Sequence, residues 1–218
     1  MSIRYVVFIR PGETDWNREG RWQGHVQVPL NAMGRLQAQR LASFVRNTGM
    51  SALYTSDLRR ALDTAAIIGE PLGIQPVVDA RLRERGVGIW QGLTQQEVVE
   101  WYPEEYAKLQ VNPDTYMMLN GESRAEVTLR VQAAFDEILN HEQGEIVGIL
   151  SHTTAIRGLL MALVPDYDPK SHGYSNMSVT TIEFVAANQW KTVLVDDVRH
   201  LSDLESLQFQ ELEDTNKR

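Results

Sequence analysis

Two apolar runs constrain this chain more than any other feature: Arg4 to Ile9 reads RYVVFI, and Glu145 to Ser151 reads EIVGILS. Both are short, rich in β-branched residues and bounded by turn or polar residues, so each reads as a buried strand. Each also delivers polar residues at its carboxyl end. The first runs into Arg10 and then Pro11-Gly12, a pair that turns a strand into a loop, and the second runs through Ser151 into His152.

Around these runs strands and helices alternate. A loop from Glu13 to Asn31 leads to a helical pattern over Gly34 to Val45, with Leu36, Leu41, Phe44 and Val45 at helical spacings and Asn47-Thr48-Gly49 as its stop. A strand at Ala52 to Ser56 feeds a helix at Leu58 to Ile68, and Val77-Val78 precede a glycine-punctuated loop from Arg81 to Gly92. Thr94 with Glu97, and Ser123 with Glu126, have the spacing of capping boxes, the second opening a helix to about Asn140. Thr154 to Val164 is helical again, while Ser178 to Ala186 and Trp190 to Val198 alternate around Asn188-Gln189 as an edge hairpin.

This order predicts an α/β fold: a three-layer open sheet, mostly parallel, with helices on both faces and the site at the carboxyl ends of its strands. Residues 1–202 are expected to form a single domain and 203–218 an acidic tail, whose Leu204, Leu207 and Leu212 offer weak docking points.

Composition then removes whole classes of function. A net charge of -8 with a pI near 5.2 argues against a nucleic-acid surface, which needs clustered positive charge. Any anion site must be local and built from a few convergent arginines. No run of eighteen apolar residues predicts a membrane span, and Met1 to Pro11, interrupted by Arg4 and Arg10, does not read as a secretory signal. With no cysteine there is neither a disulfide framework nor thiolate chemistry, and a cytoplasmic setting is expected. His25, His141, His172 and His200 lack metal-ligand spacing and read as surface or rim residues, so no metal is expected. Trp16, Trp22, Trp90, Trp101 and Tyr102 read as packing groups.

Three element ends converge on one kind of ligand. Arg10 ends the first strand, Arg59 and Arg60 open the helix after the second, and His152 follows the apolar strand just before a helix. Guanidinium forks match phosphate oxygens, and a helix amino terminus adds unpaired N–H groups, which together suggest a phosphoryl pocket.

The residues around these positions resemble the histidine phosphatase (phosphoglycerate-mutase-like) family, phosphatase branch. Arg10-Pro11-Gly12-Glu13-Thr14 is similar to the family signature R-H-G-E-T, and Asn17 and Gln23-Gly24 follow at the family's spacings. Tyr54 to Ala61 resembles the second arginine block. Leu82-Arg83-Glu84-Arg85 with Gly88 to Gly92 resembles the block that carries the acid, and Gly121-Glu122-Ser123, Ser151-His152 and Asn176 to Thr180 complete the set.

The resemblance implies that Arg10, Asn17, Arg60 and His152 bind the phosphoryl group and that Glu84 is the proton donor to the leaving oxygen. It implies no metal and no organic cofactor. Arg59 stays a surface residue in this reading. The ligand implied is a phosphorylated small molecule or inorganic phosphate, and a homo- or hetero-dimer stays open. The segment Glu100 to Asn120 is expected to cover the pocket.

The departures from the pattern matter as much. Pro11 stands where the family keeps its nucleophilic histidine, and proline has neither a nucleophilic atom nor a backbone N–H. The turn itself tolerates the change, since a residue before proline prefers the extended conformation. Thr153-Thr154 after His152, and Gln27 before Val28-Pro29-Leu30, depart from the glycines and the aspartate that the family often has there. The resulting expectation is a phosphatase-fold protein that binds a phosphate monoester but is inactive or severely impaired in hydrolysis. The alternatives are an active phosphomonoesterase whose natural form has histidine at position 11, a phosphoglycerate mutase, and a non-catalytic partner subunit.

Overall fold

In chain order the elements are β1 (Tyr5–Ile9), α1 (Asp15–Arg18), α2 (Ala32–Val45), β2 (Ala52–Thr55), α3 (Arg59–Leu72), β3 (Val77–Val78), α4 (Gln95–Trp101), α5 (Pro103–Val111), α6 (Arg124–His141), β4 (Ile146–Leu150), α7 (Thr153–Leu163), β5 (Val179–Ala186) and β6 (Gln189–Asp197). They come from a computed structural model that describes residues 3–186, 189–202 and 204. The two apolar runs become β1 and β4, neighbours in a six-stranded sheet of order β3-β2-β4-β1-β5-β6. The pairs β3/β2, β2/β4 and β4/β1 are parallel, while β5 pairs antiparallel with both β1 and β6. The predicted hairpin is therefore the antiparallel edge of a mostly parallel sheet.

Both faces of the central strands are covered. Val6, Phe8, Val147 and Ile149 pack against Val131 and Phe135 of α6 and Ile156 and Leu160 of α7. On the opposite face Ile9, Leu53 and Leu150 meet Leu41 and Val45 of α2 and Ala61, Ala65 and Ile68 of α3. The period-two alternation of a strand separates the two sets. Each such fully buried aliphatic side chain contributes roughly 1.5–3 kcal/mol, so the two layers hold the sheet from both sides.

The stripe expected on α2 is corrected by its packing. Leu36 and Phe44 are exposed, and the buried positions are Gly34, Ala38, Leu41, Ala42 and Val45. The loop after β1 presses on this helix so closely that a Cβ on Gly34 would lie 2.1 Å from the Glu13 carbonyl oxygen. Small residues therefore face inward, and hydrophobicity alone misplaces the face. The loop expected over Glu13 to Asn31 also contains a helix, α1, closed by a capping box in which Thr14 and Asn17 exchange hydrogen bonds. Two short 3-10 turns, Ala80–Leu82 and Gly88–Trp90, lie within the loop expected from Arg81 to Gly92 or at its edge. The capping boxes at Thr94 and Ser123 form as expected.

A third apolar cluster joins Val87 and Trp90 to Val98, Leu109 and Met118, with Trp22 edge-on to Trp90 at 5.5 Å. Trp101, expected to pack, is 57% exposed, because Val98 on the same short helix takes the inward position. His200, expected at the surface or rim, is half-buried beneath Phe44, with ring centroids 5.8 Å apart. Leu204 is buried in the α2/α3 cluster, while Leu207 and Leu212 lie outside the described residues, as does Asn188 of the hairpin turn. Among the described residues, no helix is long and apolar enough to cross a membrane.

The topology places a crevice at the carboxyl ends of the central strands. From β1 the chain passes to α2 on one face, and from β4 it passes to α7 on the other, so the carboxyl ends of these adjacent strands border a crevice. That is a topological switch point, the usual ligand position in open α/β sheets.

Candidate active site

Because Ile9 lies beside Leu150 in the parallel register, and the Ser151 N–H donates to the Ile9 carbonyl at 3.0 Å, Arg10 and His152 leave the sheet side by side. The Arg10 N–H donates to Ser178 O at 3.1 Å, and its Nη1 donates to the Tyr174 carbonyl. Burial lowers the pKa of the Arg10 guanidinium, with Glu84 and Asp196 opposing the shift.

Arg60 enters from the first turn of α3. Its Nη2 donates to Gly24 O at 3.0 Å and its Nη1 to Val26 O at 3.2 Å, which ties the helix to the loop after α1. Burial draws its pKa down to about 10, against the pull of Glu84 and with the push of Arg10. Arg59, next to it, is turned away into an ion pair with Asp63 at 2.8 Å, and its N–H donates to Gln27 Oε1.

His152 occupies the cap position of α7 and is buried, with its Nε2 2.7 Å from the Ser56 hydroxyl at the end of β2. Burial, then Arg60 and Arg10, hold its pKa well below the usual imidazole range, so the ring is neutral at pH 7. A histidine with a folded pKa below its unfolded value of about 6.5 contributes stability that is present above that pH and is lost as pH falls below it. The unliganded protein should therefore lose stability to urea between pH 7 and pH 5, and His152→Gln should flatten that slope. An unchanged slope in the variant would show that the acid sensitivity arises elsewhere.

Glu84 is held at the amino end of α7: the Thr154 N–H reaches Oε1 and Oε2 at 3.2 and 3.3 Å, and the Arg85 N–H donates to Oε1 at 2.7 Å. Its own carbonyl accepts from His25 Nε2 at 2.7 Å and from Arg130 Nη2 at 2.8 Å. The loop opposite is fixed by backbone bonds. The Pro11 carbonyl accepts from Met177 N–H at 3.2 Å, and the Gly12 N–H donates to Thr64 Oγ1 at 3.2 Å. Asn17 Oδ1 accepts from Thr14 N–H, Thr14 Oγ1 and Asn176 Nδ2, all near 3 Å, and among the described residues its amide nitrogen has no hydrogen-bond partner.

Arg10, Pro11, Asn17, Arg60, Glu84 and His152 all line one cavity of about 250 Å³, shared with Gln23, Thr153 and Thr154. Leu109 of α5 closes part of it, so the segment Glu100 to Asn120 contributes a wall. Sequence reasoning gave no role to Arg85 or Arg124, which also line it. Arg85 differs from the other charged residues of its motif block in its depth, since it is buried in the fold. Chemically the cavity offers buried guanidinium groups, a neutral imidazole and one carboxylate, a composition suited to an anion with several oxygens. Among the described residues, no group of three or more His, Asp or Glu is placed to hold a metal ion.

Comparison with known proteins agrees with this geometry. The profile of the "Histidine phosphatase superfamily (branch 1)" matches residues 6–198. Phosphoglycerate mutase-like protein 4 of Arabidopsis thaliana is 35% identical over 206 residues, covering 93% of this chain and 89% of that protein. A mycobacterial glucosyl-3-phosphoglycerate phosphatase solved with VO3 superposes with a TM-score of 0.81 at 30% identity, covering 88% of this chain and 99% of that one. A phosphoserine phosphatase of Entamoeba histolytica, solved as a histidine-to-alanine mutant in complex with phosphoserine, superposes with a TM-score of 0.77 at 26% identity, covering 90% and 98%. With a phosphoglycerate-mutase-like fold and a family match over most of its length, this chain belongs to branch 1 of the histidine phosphatase superfamily.

Proposed function

We propose that the cavity binds a small phosphate monoester and is built for its hydrolysis, with residue 11 deciding how far the reaction runs. The observation that carries this reading is the meeting of Arg10, Arg60, His152 and Glu84 in one cavity. The two guanidinium groups take phosphoryl oxygens through their forks, and Asn17 and His152 complete the cradle. Glu84 stands at the amino end of α7, where its carboxyl group protonates the leaving oxygen.

In a histidine-11 form the imidazole attacks phosphorus, the bond from phosphorus to the ester oxygen breaks, and Glu84 supplies the proton to that oxygen. Water then cleaves the phosphohistidine and inorganic phosphate leaves. Proline at position 11 has no atom for the first step, so this chain is expected to keep the binding half of the reaction and lose the covalent half. The phosphoserine complex of the histidine-to-alanine relative supports binding that persists without a histidine. The phosphatases among the solved relatives support water as the group that clears the enzyme, and the mutase-like relative at 35% identity keeps transfer to a second substrate as the other reading.

Calorimetric titration with inorganic phosphate and with orthovanadate tests the binding half. Both should bind, and Arg60→Met should weaken each by at least about tenfold, because a charge-assisted hydrogen bond is worth about 1.5–3 kcal/mol. Absence of binding at millimolar ligand, or equal affinity in the folded variant, would sink the proposal.

A further inference from the structure

Among the described residues four other than glycine hold a left-handed φ, and three of them gather behind Arg10: Tyr174 (φ 56°), Met177 (φ 64°) and Asp196 (φ 52°). A side chain larger than hydrogen is strained in this region, and the strain persists only where the surroundings over-determine it. Tyr174 is held on every side. Its ring is buried in the core under the Arg157 guanidinium, 5.0 Å from the ring centroid, and its hydroxyl meets that of Tyr167. Its carbonyl accepts from Arg10 Nη1, and its N–H donates to Asp196 Oδ2 at 3.0 Å.

A break in the sheet brings Asp196 to that position. Val179 faces Asp197 and Thr181 faces Leu194, so two steps along β5 oppose three along β6. The extra residue makes a bulge, a device that re-aims a side chain and recurs beside active sites. The Asp196 N–H donates to the Thr180 hydroxyl at 3.1 Å, and the carboxylate spans two successive amides, taking the Ser175 N–H on Oδ1 at 2.7 Å as well as that of Tyr174.

The Ser175 N–H and the Tyr174 carbonyl belong to one peptide unit, which is planar and points the two groups in opposite directions. Asp196 on one side of that plane therefore sets the direction of the carbonyl on the other. Among the described residues the Tyr174 carbonyl is the one hydrogen-bond partner of the Arg10 side chain, so the same plane sets the direction of the guanidinium fork. Charge acts in the same sense: burial lowers the pKa of Arg10, and Asp196 follows Glu84 among the groups that oppose it.

We propose that Asp196, which does not line the cavity, is a positioning residue for Arg10, holding the Tyr174-Ser175 peptide so that the guanidinium fork faces the bound phosphoryl group. The inference rests on the phosphomonoester reading above and adds to it a residue from the edge of the sheet.

Calorimetric titration of the full chain with orthovanadate tests it. Asp196→Gly removes the carboxylate and suits a φ of 52°, so the bulge is kept. It should weaken binding about tenfold, the scale of one charge-assisted hydrogen bond put out of line. Asp196→Asn keeps one acceptor oxygen and should fall between the parent and the glycine variant, and it carries the comparison if circular dichroism shows the glycine variant unfolded. The loss should run through Arg10. Arg10→Lys keeps the charge but has no fork to aim, so adding either Asp196 substitution to it should cost less than about twofold, whereas in Arg60→Lys the full loss should remain. Equal vanadate affinity in the parent and the folded variants, or an undiminished loss in the Arg10→Lys background, overturns the role of Asp196 and leaves the phosphate site standing. If vanadate does not bind the parent, the phosphomonoester reading falls and the role of Asp196 falls with it.

Discussion

Pro11→His is expected to raise turnover of a generic aryl phosphate by on the order of 10³-fold or more, since loss of a catalytic nucleophile costs up to about 10⁶ in rate. The gain depends on the new imidazole reaching the bound phosphoryl group without the loop moving, and the contacts of the loop favour that. Residue 11 is buried and is held by its carbonyl through the Met177 N–H, and its neighbour Gly12 is held through Thr64. Neither bond uses the proline ring. The electrostatic setting is also suited to the change, because a second imidazole at position 11 would stand in the same cavity as the Arg10 and Arg60 guanidinium groups, which next after burial lower the pKa of His152. Rapid-quench labelling with a radioactive phosphoester should trap an acid-labile phosphohistidine in the variant and none in the parent. Pro11→Ala is the control, as it removes the ring without adding a nucleophile and should gain nothing. If the parent turns over at about 10 s⁻¹ through a covalent intermediate, or if Pro11→His is no faster than Pro11→Ala, the assigned role of position 11 is wrong.

The parts of this molecule that were legible in its sequence are those set by chain-local physics. The runs ending at Ile9 and Leu150 are apolar throughout because they are covered on both faces, and their polar ends follow from the sheet edge they reach. Arg10, Arg60 and His152 meet because parallel strands present their carboxyl ends together, so the order of elements was enough to gather them. The buried face of α2 was misread because close packing against the Glu13 carbonyl selects glycine and alanine, residues that carry little hydrophobic signal. The helix at Asp15–Arg18 escaped because its four residues are held by a cap and by long-range bonds, with too few positions to show a period. Arg85 escaped for a different reason. Its sequence neighbours resemble a loop, and its burial comes from carbonyls 31 and 37 residues away.

Distant contacts of that kind also position Glu84, and they lead to the second large effect. Arg130 on α6 donates to three carbonyls of the loop that carries Glu84: to Arg81 O at 2.8 Å, Arg83 O at 2.7 Å and Glu84 O at 2.8 Å. Its fork also pairs with both carboxylate oxygens of Glu122, at 2.8 and 2.9 Å, and Glu122 in turn accepts from Gly86 N–H at 2.7 Å. Burial works against the charge on Glu122, but His25, Arg130 and that N–H outweigh it and hold its pKa well below the usual carboxylate range. Arg130→Met should therefore cost about 3 kcal/mol in urea unfolding, because it leaves three carbonyls and a partly buried carboxylate short of partners. A solvent-exposed pair would cost under about 1 kcal/mol, and a loss that small would place Arg130 in that class. The sign of the pH effect separates the two cases further. A carboxylate with a depressed folded pKa adds stability above its unfolded value of about 4.3 and loses it as pH falls, so the deficit of Arg130→Met should shrink toward acid pH. In the Pro11→His background the same substitution should lower kcat more than the affinity for inorganic phosphate, because the displaced group is Glu84, the proposed proton donor, while Arg10 and Arg60 keep their own carbonyl partners.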